Sequence, residues 1–361
     1  MWKSGEAKEL VIRRALANIS DLASNFLQHR DDVDRLLRTF SELSPSPVQI
    51  SYETALTPLE EVKPYALPEV KDAENPENVL EDVVRGFSIG SYDTSYHNPG
   101  AHFFIPLLLV NVGYWYHNLF NEGGSGNYAE LLSYDVYKED VEIVLKRVEY
   151  KVLGNFIVPN LKSSRKFLFM DESLDLSYTL SWCIEKREAI IGQVNEILKY
   201  LISNEVLPIG LHYTRKYDIV RGISAITGRD DLPEVSDRVL MNTFLDVYDR
   251  SPVLRVHTRA LSEIDGIPLY ALFIKLGEYN IVRVEFPGVE WLSLDDLHRI
   301  ILYQSIVGGG FPRCMQKSHE LAVLRIKDRE MIEESFAQML GIPASYILIS
   351  KKQVRKRWPH I

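Results

Sequence analysis

Apolar residues recur at helical spacing near the start of the chain: Ala15, Ile19, Leu22 and Phe26, then Val33, Leu36, Leu37 and Phe40. The spacing predicts helix over residues 6–43, as one kinked helix or two, because Asp31 and Asp32 interrupt the stripe. Such a segment either packs on the main domain as a helical hairpin or projects as an arm for dimerisation or partner docking. Pro45, Pro47, Pro58, Pro64, Pro68 and Pro76 follow. Prolines at that density exclude a long helix or a central strand and predict an extended surface connector.

Beyond Val84 the period shortens. Residues 87–90 read as a strand, and 103–116 as a long strand apolar enough to be buried on both faces. The run Glu-Gly-Gly-Ser-Gly inside 121–127 reads as a turn. Residues 137–157 place Val141, Val144, Leu145, Val148, Val152 and Leu153 on one helical face, and 166–170 form a short buried strand ending at Asp171. Helix is expected over 180–201, strand over 206–213, and helix over 236–248 with Asp237 suited to the dipole at its start. Residues 269–276 and 281–286 alternate around a turn at 277–280, an antiparallel hairpin, and helices over 293–307 and 328–340 close the pattern. Hairpins followed by strand–helix alternation indicate a mixed-sheet α/β domain. The chain divides into a helical arm (1–45), a Pro-rich connector (46–82), an α/β domain (83–350) and a basic tail (351–361).

Composition narrows the functional classes. At 361 residues, 46% hydrophobic and 25% charged, the chain has ample core and is far from disordered composition. Forty-one Lys and Arg against fifty Asp and Glu leave a formal charge of −9. Nucleic acid would have to be met by a local basic surface. The tail, with Lys351, Lys352, Arg355, Lys356 and Arg357 beside Trp358, is one such surface, or simply a solvated end. Two cysteines, Cys183 and Cys314, exclude a disulfide framework and a Cys-rich zinc site. The polar N-terminal segment lacks the apolar stretch of a secretory signal, and no run approaches the roughly twenty apolar residues of a membrane span. A cytoplasmic protein is expected.

There is no Gly-rich phosphate loop, dinucleotide fingerprint, nucleophile elbow or H-E-x-x-H helix. What remains are carboxylates. Asp171 ends a buried strand, where α/β sheets bind ligands; taken alone it is also an ordinary strand-end residue. Glu149 lies beside the apolar face of a helix, where a lone Glu is usually solvated. With a third carboxylate the two could hold a hard divalent cation, which takes oxygen ligands. His319 follows Arg313, Lys317 and Ser318; a lone His is usually structural, but one beside basic residues near a metal site could orient a phosphate or a water.

Several stretches, in one order along residues 85–335, resemble the NurA nuclease family. Gly90-Ser91 followed by 103–113 is similar to its D-G-S strand and second strand. Asp171-Glu172-Ser173-Leu174 is similar to its D-G-S-L strand end, and 210–220 to a segment bearing basic residues. Val235-Ser236-Asp237-Arg238, Asp249-Arg250-Ser251-Pro252 and Arg283-Val284-Glu285-Phe286-Pro287 resemble its S-D-R, E-R-S and R-V-E-x-P signatures. Gly309-Gly310-Phe311-Pro312 with His319-Glu320 resembles its G-Y-P…A-H element.

The resemblance implies an RNase H-like mixed sheet flanked by helices, a homodimer, and Mn²⁺- or Mg²⁺-dependent cleavage of DNA as a 5'-3' exonuclease or endonuclease. It places that activity in end resection and double-strand break repair beside a HerA-type hexameric ATPase. Carried over by position, it implies Asp171 and Glu149 as metal ligands, with Asp93, brought in by a loop shift, or Glu172 as the third. His319 would act on water or phosphate, and Arg250, Lys216, Arg313 and Lys317 would bind DNA phosphates. Two positions depart from the family pattern: Ile89 stands where a metal-binding Asp precedes Gly-Ser, and Phe273 where a Tyr is expected. The alternative is therefore a catalytically impaired NurA paralogue that binds DNA or the ATPase without cutting.

Overall fold

A computed structural model of the chain describes residues 19–45, 47–98, 107–118, 122–133, 140–213 and 216–341. Its centre is a five-strand unit. Strand β2 (Ser88–His97) pairs antiparallel with β3 (Leu107–Asn118), and β3 antiparallel with β4 (Gly123–Ser133). On its other side β2 runs parallel to β5 (Lys166–Met170), and β5 parallel to β6 (Val206–His212). Across the sheet the order is thus β4-β3-β2-β5-β6. The expected hairpin extends it antiparallel: β10 (Asn280–Pro287) pairs with β6 and with β9 (Ile267–Gly277). Then come β7 (Leu254–Thr258) and the edge strand β1 (Thr54–Pro58), while the two-residue β8 (Glu263–Ile264) pairs with β9. This is the mixed α/β sheet the sequence implies, and its five-strand unit has the RNase H-like order.

Strand pleating sends alternate residues into two cores. One core takes Tyr92, Leu168, Met170, Ala271 and Phe273 against helices α4 (Val141–Val152), α5 (Ile184–Ser203), α6 (Asp218–Thr227) and α7 (Asp237–Phe244). The other takes Ile89, Phe167, Phe169, Val282 and Val284 against α2 (Pro68–Lys71), α3 (Pro76–Val84), α8 (Leu294–Val307) and α9 (Arg313–Ala322). Helix α10 (Ile326–Leu340) is the last among the described residues.

Several elements differ from the sequence reading. Among the described residues the helical arm contributes α1 (Ile19–Ser41), which runs through Asp31 and Asp32 without a break; residues 1–18 lie outside the described ones. Its Val33, Leu36 and Phe40 belong to the first core, and Phe40 meets Phe244 edge to face at 5.5 Å. The Pro-rich segment is built into the domain rather than laid over it. Pro68 and Pro76 occupy first-turn positions of α2 and α3, where no N–H is needed. All five residues of β1 are buried at the sheet edge. There Gly222 of α6 touches the strand so closely that a Cβ would lie 1.7 Å from the Leu56 carbonyl oxygen.

The Gly-rich run is not a turn but the start of β4. A Cβ at Gly124 would lie 2.4 Å from the Tyr116 hydroxyl, so glycine lets aromatic rings of β3 lie over the neighbouring strand. The strand expected over 103–116 is seen from Leu107; residues 103–106 lie outside the described ones, as does the basic tail 351–361.

Helix α9 was missed, because Gly308–Gly310 and Pro312 read as a loop. It is capped onto the sheet by polar contacts: Ser91 Oγ donates to the Cys314 carbonyl (2.7 Å), Asn111 Nδ2 to that of Ala322 (2.8 Å), and Ser95 Oγ also to Ala322. A Cβ on Gly113 would lie 2.3 Å from Ser318 O and Ala322 N, so the glycine sets how closely the helix approaches.

On α8, His298 is 1% exposed and its Nε2 donates to the Tyr248 carbonyl (3.0 Å). Burial, with the nearby Arg250 charge, lowers its pKa to about 3. Between that value and 6.5 the unfolded chain binds the extra proton and the folded chain does not. Stability from this group is therefore complete above pH 6.5 and falls as the pH drops, by about 1.4 kcal/mol per unit at its steepest. His298→Gln, which keeps a donor for Tyr248, should flatten the acid limb of a Tm-against-pH curve. An unchanged limb would mean that other groups carry the acid sensitivity.

Candidate functional site

The parallel strands β2 and β5 stay paired up to Tyr92 and Met170. The next residue of each is an aspartate, Asp93 and Asp171. Ile89, Ser91 and Asp93 alternate onto the α9 side of β2, and Ser91 and Asp93 both contact α9. Asp93 therefore needs no loop shift to reach Asp171, and Ile89, fully buried in the core below, is a packing residue.

Both aspartates line a cleft of about 460 Å³ together with Tyr92, Phe311, Met315, Gln316, Ser318, His319 and Glu320. His319 Nδ1 lies 2.6 Å from Asp93 Oδ2. A carboxylate only accepts, so Nδ1 carries the hydrogen and a neutral ring presents Nε2 as an acceptor. The imidazole is 69% exposed, open to an incoming substrate. The Asp171 carboxyl opens to the cleft but is partly desolvated. That desolvation, with the charges of Asp93 and Glu172, holds its pKa above the usual carboxylate value, against the opposing pull of His319 and His212. Tyr213, at the end of β6, is pushed up to about 12 by burial and by Asp171, and its ring stacks on Phe311. Among the described residues its hydroxyl has no partner. The sequence reading missed this residue, whose only signal was an aromatic at a strand end.

Glu149 lies on the other side of the sheet. It projects from α4 toward the core of Tyr92 and Met170, is 4% exposed, and accepts from Thr94 Oγ1 (2.8 Å) and Lys146 Nζ (2.8 Å). The same ammonium donates to Glu172 (2.7 Å), which also accepts from the Tyr92 hydroxyl (3.2 Å). Burial disfavours the Lys146 charge, but Glu149 and Glu172 overcome it and hold the ammonium well above its ordinary pKa. The expected ligand set of Asp171, Glu149 and Asp93 is thus divided between two faces. Among the described residues no group of three or more His, Cys, Asp or Glu side chains is arranged to hold a metal ion. The donor set does not fit the divalent ion that the resemblance implies.

The basic residues also separate. Arg313 is exposed and Lys317 half-buried on α9, on the same helix as His319; Lys317 pairs with Glu320 (2.7 Å). Arg250 is 5% exposed, bonded to Glu60 (2.7 Å) and the Ser251 carbonyl, with its guanidinium 4.1 Å from the Tyr65 ring centroid. It is a core strut, not a phosphate contact. Lys216 lines a different cleft, of about 550 Å³, with Tyr52, Tyr178, Asp218 and Arg221, and bonds to Asp175 (2.8 Å).

Behind that cleft lies a buried ion network on β10. Arg283 contacts Asp218 (2.7 Å), Glu285 (2.7 Å) and Asp175 (3.1 Å), and Glu285 also meets His212 (3.0 Å). Burial works against the Glu285 charge, yet Arg283, His212 and Lys216 hold its carboxyl well below the usual value. The segments that resemble S-D-R and R-V-E-x-P meet in this network, because Asp237 accepts from the Asp218 and Ile219 backbone N–H groups beside Arg283. Phe273, opposite Arg283 in the hairpin, is buried in the core and faces neither cleft.

No protein-family model matches the chain, and no curated protein matches its sequence. Solved structures do. The NurA nuclease from Sulfolobus solfataricus is similar over 94% of this chain and 98% of its own, at 14% identity and a TM-score of 0.54. A second NurA structure aligns over 92% and 99% at 10% identity (TM-score 0.43), and the catalytic domain of human Endonuclease V over 89% and 99% at 12% (TM-score 0.35). The fold is RNase H-like. Its structural neighbours are nucleases, and among the described residues no helix is long and apolar enough to cross a membrane.

Proposed function

We propose that the chain is a NurA-like DNA nuclease whose reaction centre is the cleft of Asp93, Asp171 and His319. The observation that carries this reading is the 2.6 Å contact from His319 to Asp93 beside a second aspartate, at the carboxyl end of two parallel strands. In the proposed reaction Asp93 fixes the imidazole, and His319 Nε2 takes a proton from water as the water oxygen bonds to phosphorus. The P–O ester bond breaks, and the leaving oxygen takes a proton, which the Asp171 carboxyl supplies when protonated; desolvation and the charges of Asp93 and Glu172 hold its pKa above the usual carboxylate value. A positioned base on one side of the phosphate and an acid on the other divide the two proton transfers in this way. Arg313 and Lys317 on the same helix face the charge of a DNA backbone. The family resemblance supports a role in end resection as a homodimer beside a HerA-type ATPase.

A second reading, a binding module that does not cut, is favoured by one observation: Lys146 neutralises the Glu149 carboxylate that the family pattern assigns to chemistry. The test incubates the chain with linear duplex and single-stranded DNA over a wide concentration range, with Mn²⁺ and with chelator. Cleavage products in either condition support the nuclease. Intact DNA that is nevertheless bound in gel shifts establishes the binding module.

A further inference from the structure

We propose that Lys146 is a built-in cation: its ammonium fills the charge position between Glu149 and Glu172, so that the α4 side of the sheet is held by the chain itself and recruits no divalent ion. This goes beyond the nuclease reading and does not depend on it.

The geometry is that of a filled site. The ammonium lies 2.8 Å from Glu149 and 2.7 Å from Glu172, and the remaining oxygens of the two carboxylates are taken by Thr94 and Tyr92. The Lys146 side chain is 9% exposed, with Glu149 at 6% and Glu172 at 17%. Two anions this enclosed would repel each other strongly, and desolvation would penalise both. One positive charge between them removes that cost. It also ties three pieces of chain together: α4, strand β2 through Thr94 and Tyr92, and the exit of β5 through Glu172. A divalent ion could take this place only by displacing an ammonium that both carboxylates already bind.

Exposed lysine–glutamate pairs three residues apart on a helix contribute little and exchange readily. Lys146 differs because its second partner, 26 residues away, encloses it. The role assigned to Glu149 follows: it is a counter-ion for Lys146, not an open ligand.

The test reads melting temperature and Mn²⁺ binding, not cleavage, so its failure and that of the nuclease reading are distinguishable. Millimolar Mn²⁺ or EDTA should leave the contribution of this cluster to wild-type melting unchanged. Lys146→Met, which keeps the length and loses the charge, should lower Tm by about 4–7 °C. Mn²⁺ should then restore at least half of that loss, and the restoration should vanish in Lys146→Met/Glu149→Gln.

Should Lys146→Met fail to fold, Mn²⁺ electron paramagnetic resonance on Asp93→Asn/Asp171→Asn supplies the answer, since both changes lie at the open cleft. Finding no bound ion, or an ion that Glu149→Gln leaves in place, supports the assignment. A bound ion that Glu149→Gln removes, or a wild-type melting rise that depends on Glu149, overturns it.

Discussion

His319→Ala should lower kcat/KM for DNA cleavage by about 10²–10⁴, the usual contribution of a positioned general base. That corresponds to about 3–5 kcal/mol of transition-state stabilisation. The ring is mostly exposed and packs no core, so Tm should stay within a degree or two of wild type. DNA affinity should also persist, because Arg313 and Lys317 remain. Asp171→Asn should give a loss of similar size but a different pH profile, since an amide cannot deliver a proton to the leaving oxygen. Measuring kcat/KM from pH 5 to 9 for the three proteins separates the roles. If His319→Ala cleaves at the wild-type rate, the chemistry is not in this cleft.

The second large effect concerns stability rather than chemistry. Arg283→Leu should destabilise the fold by about 3–5 kcal/mol, because removing one partner of a buried ion cluster leaves the others uncompensated. Arg283 is 4% exposed, and three carboxylates, those of Asp175, Asp218 and Glu285, lie within 3.1 Å of its guanidinium. Lys216 and His212 cannot offset all of that charge. Part of the loss should be recovered at low pH, where the stranded carboxylates take up protons in the folded state. A urea titration at pH 7 and again near pH 4.5 measures both quantities. A loss of unfolding free energy below about 1 kcal/mol at pH 7 would show that Arg283 does not hold the cluster.

Hydrophobic period was a reliable guide where an element buries one face or two. The buried strand at 166–170, the helix carrying Val144 and Val148, and the hairpin around 277–280 all lie where their patterns put them. Elements whose place depends on distant partners were not legible. Strand β1 is five residues ending in a proline, inside a Pro-rich segment, and its pairing with β7 makes it a strand. Helix α9 follows three glycines, and what holds it are polar contacts to β2 and β3 more than 200 residues earlier.

The site shows the same division. That Asp171 ends a buried strand can be read locally. That Asp93, rather than position 89, stands beside it depends on strand register, and a match on Gly90-Ser91 shifts attention by four residues. Glu149 reads as a solvated helical residue because its partners, Lys146 and Thr94, and Glu172 beyond Lys146 come together only in the fold, Glu172 following a separate strand.

The closeness of α9 to Gly113 has a consequence for the order of events in the cell. Asp93 and His319 are 226 residues apart in sequence, and their meeting requires α9 to settle on a finished β2–β3 hairpin. Ribosomes add about 5–20 residues per second, and N-terminal parts fold first. For some tens of seconds at the lower of those rates, a growing chain displays its aspartates without the histidine. On the proposed mechanism, such a nascent chain lacks its base and does not cleave nucleic acid. The same logic applies late in its life: on that mechanism, a fragment ending before residue 313 lacks the helix that carries His319 and does not cleave, whatever remains of the sheet.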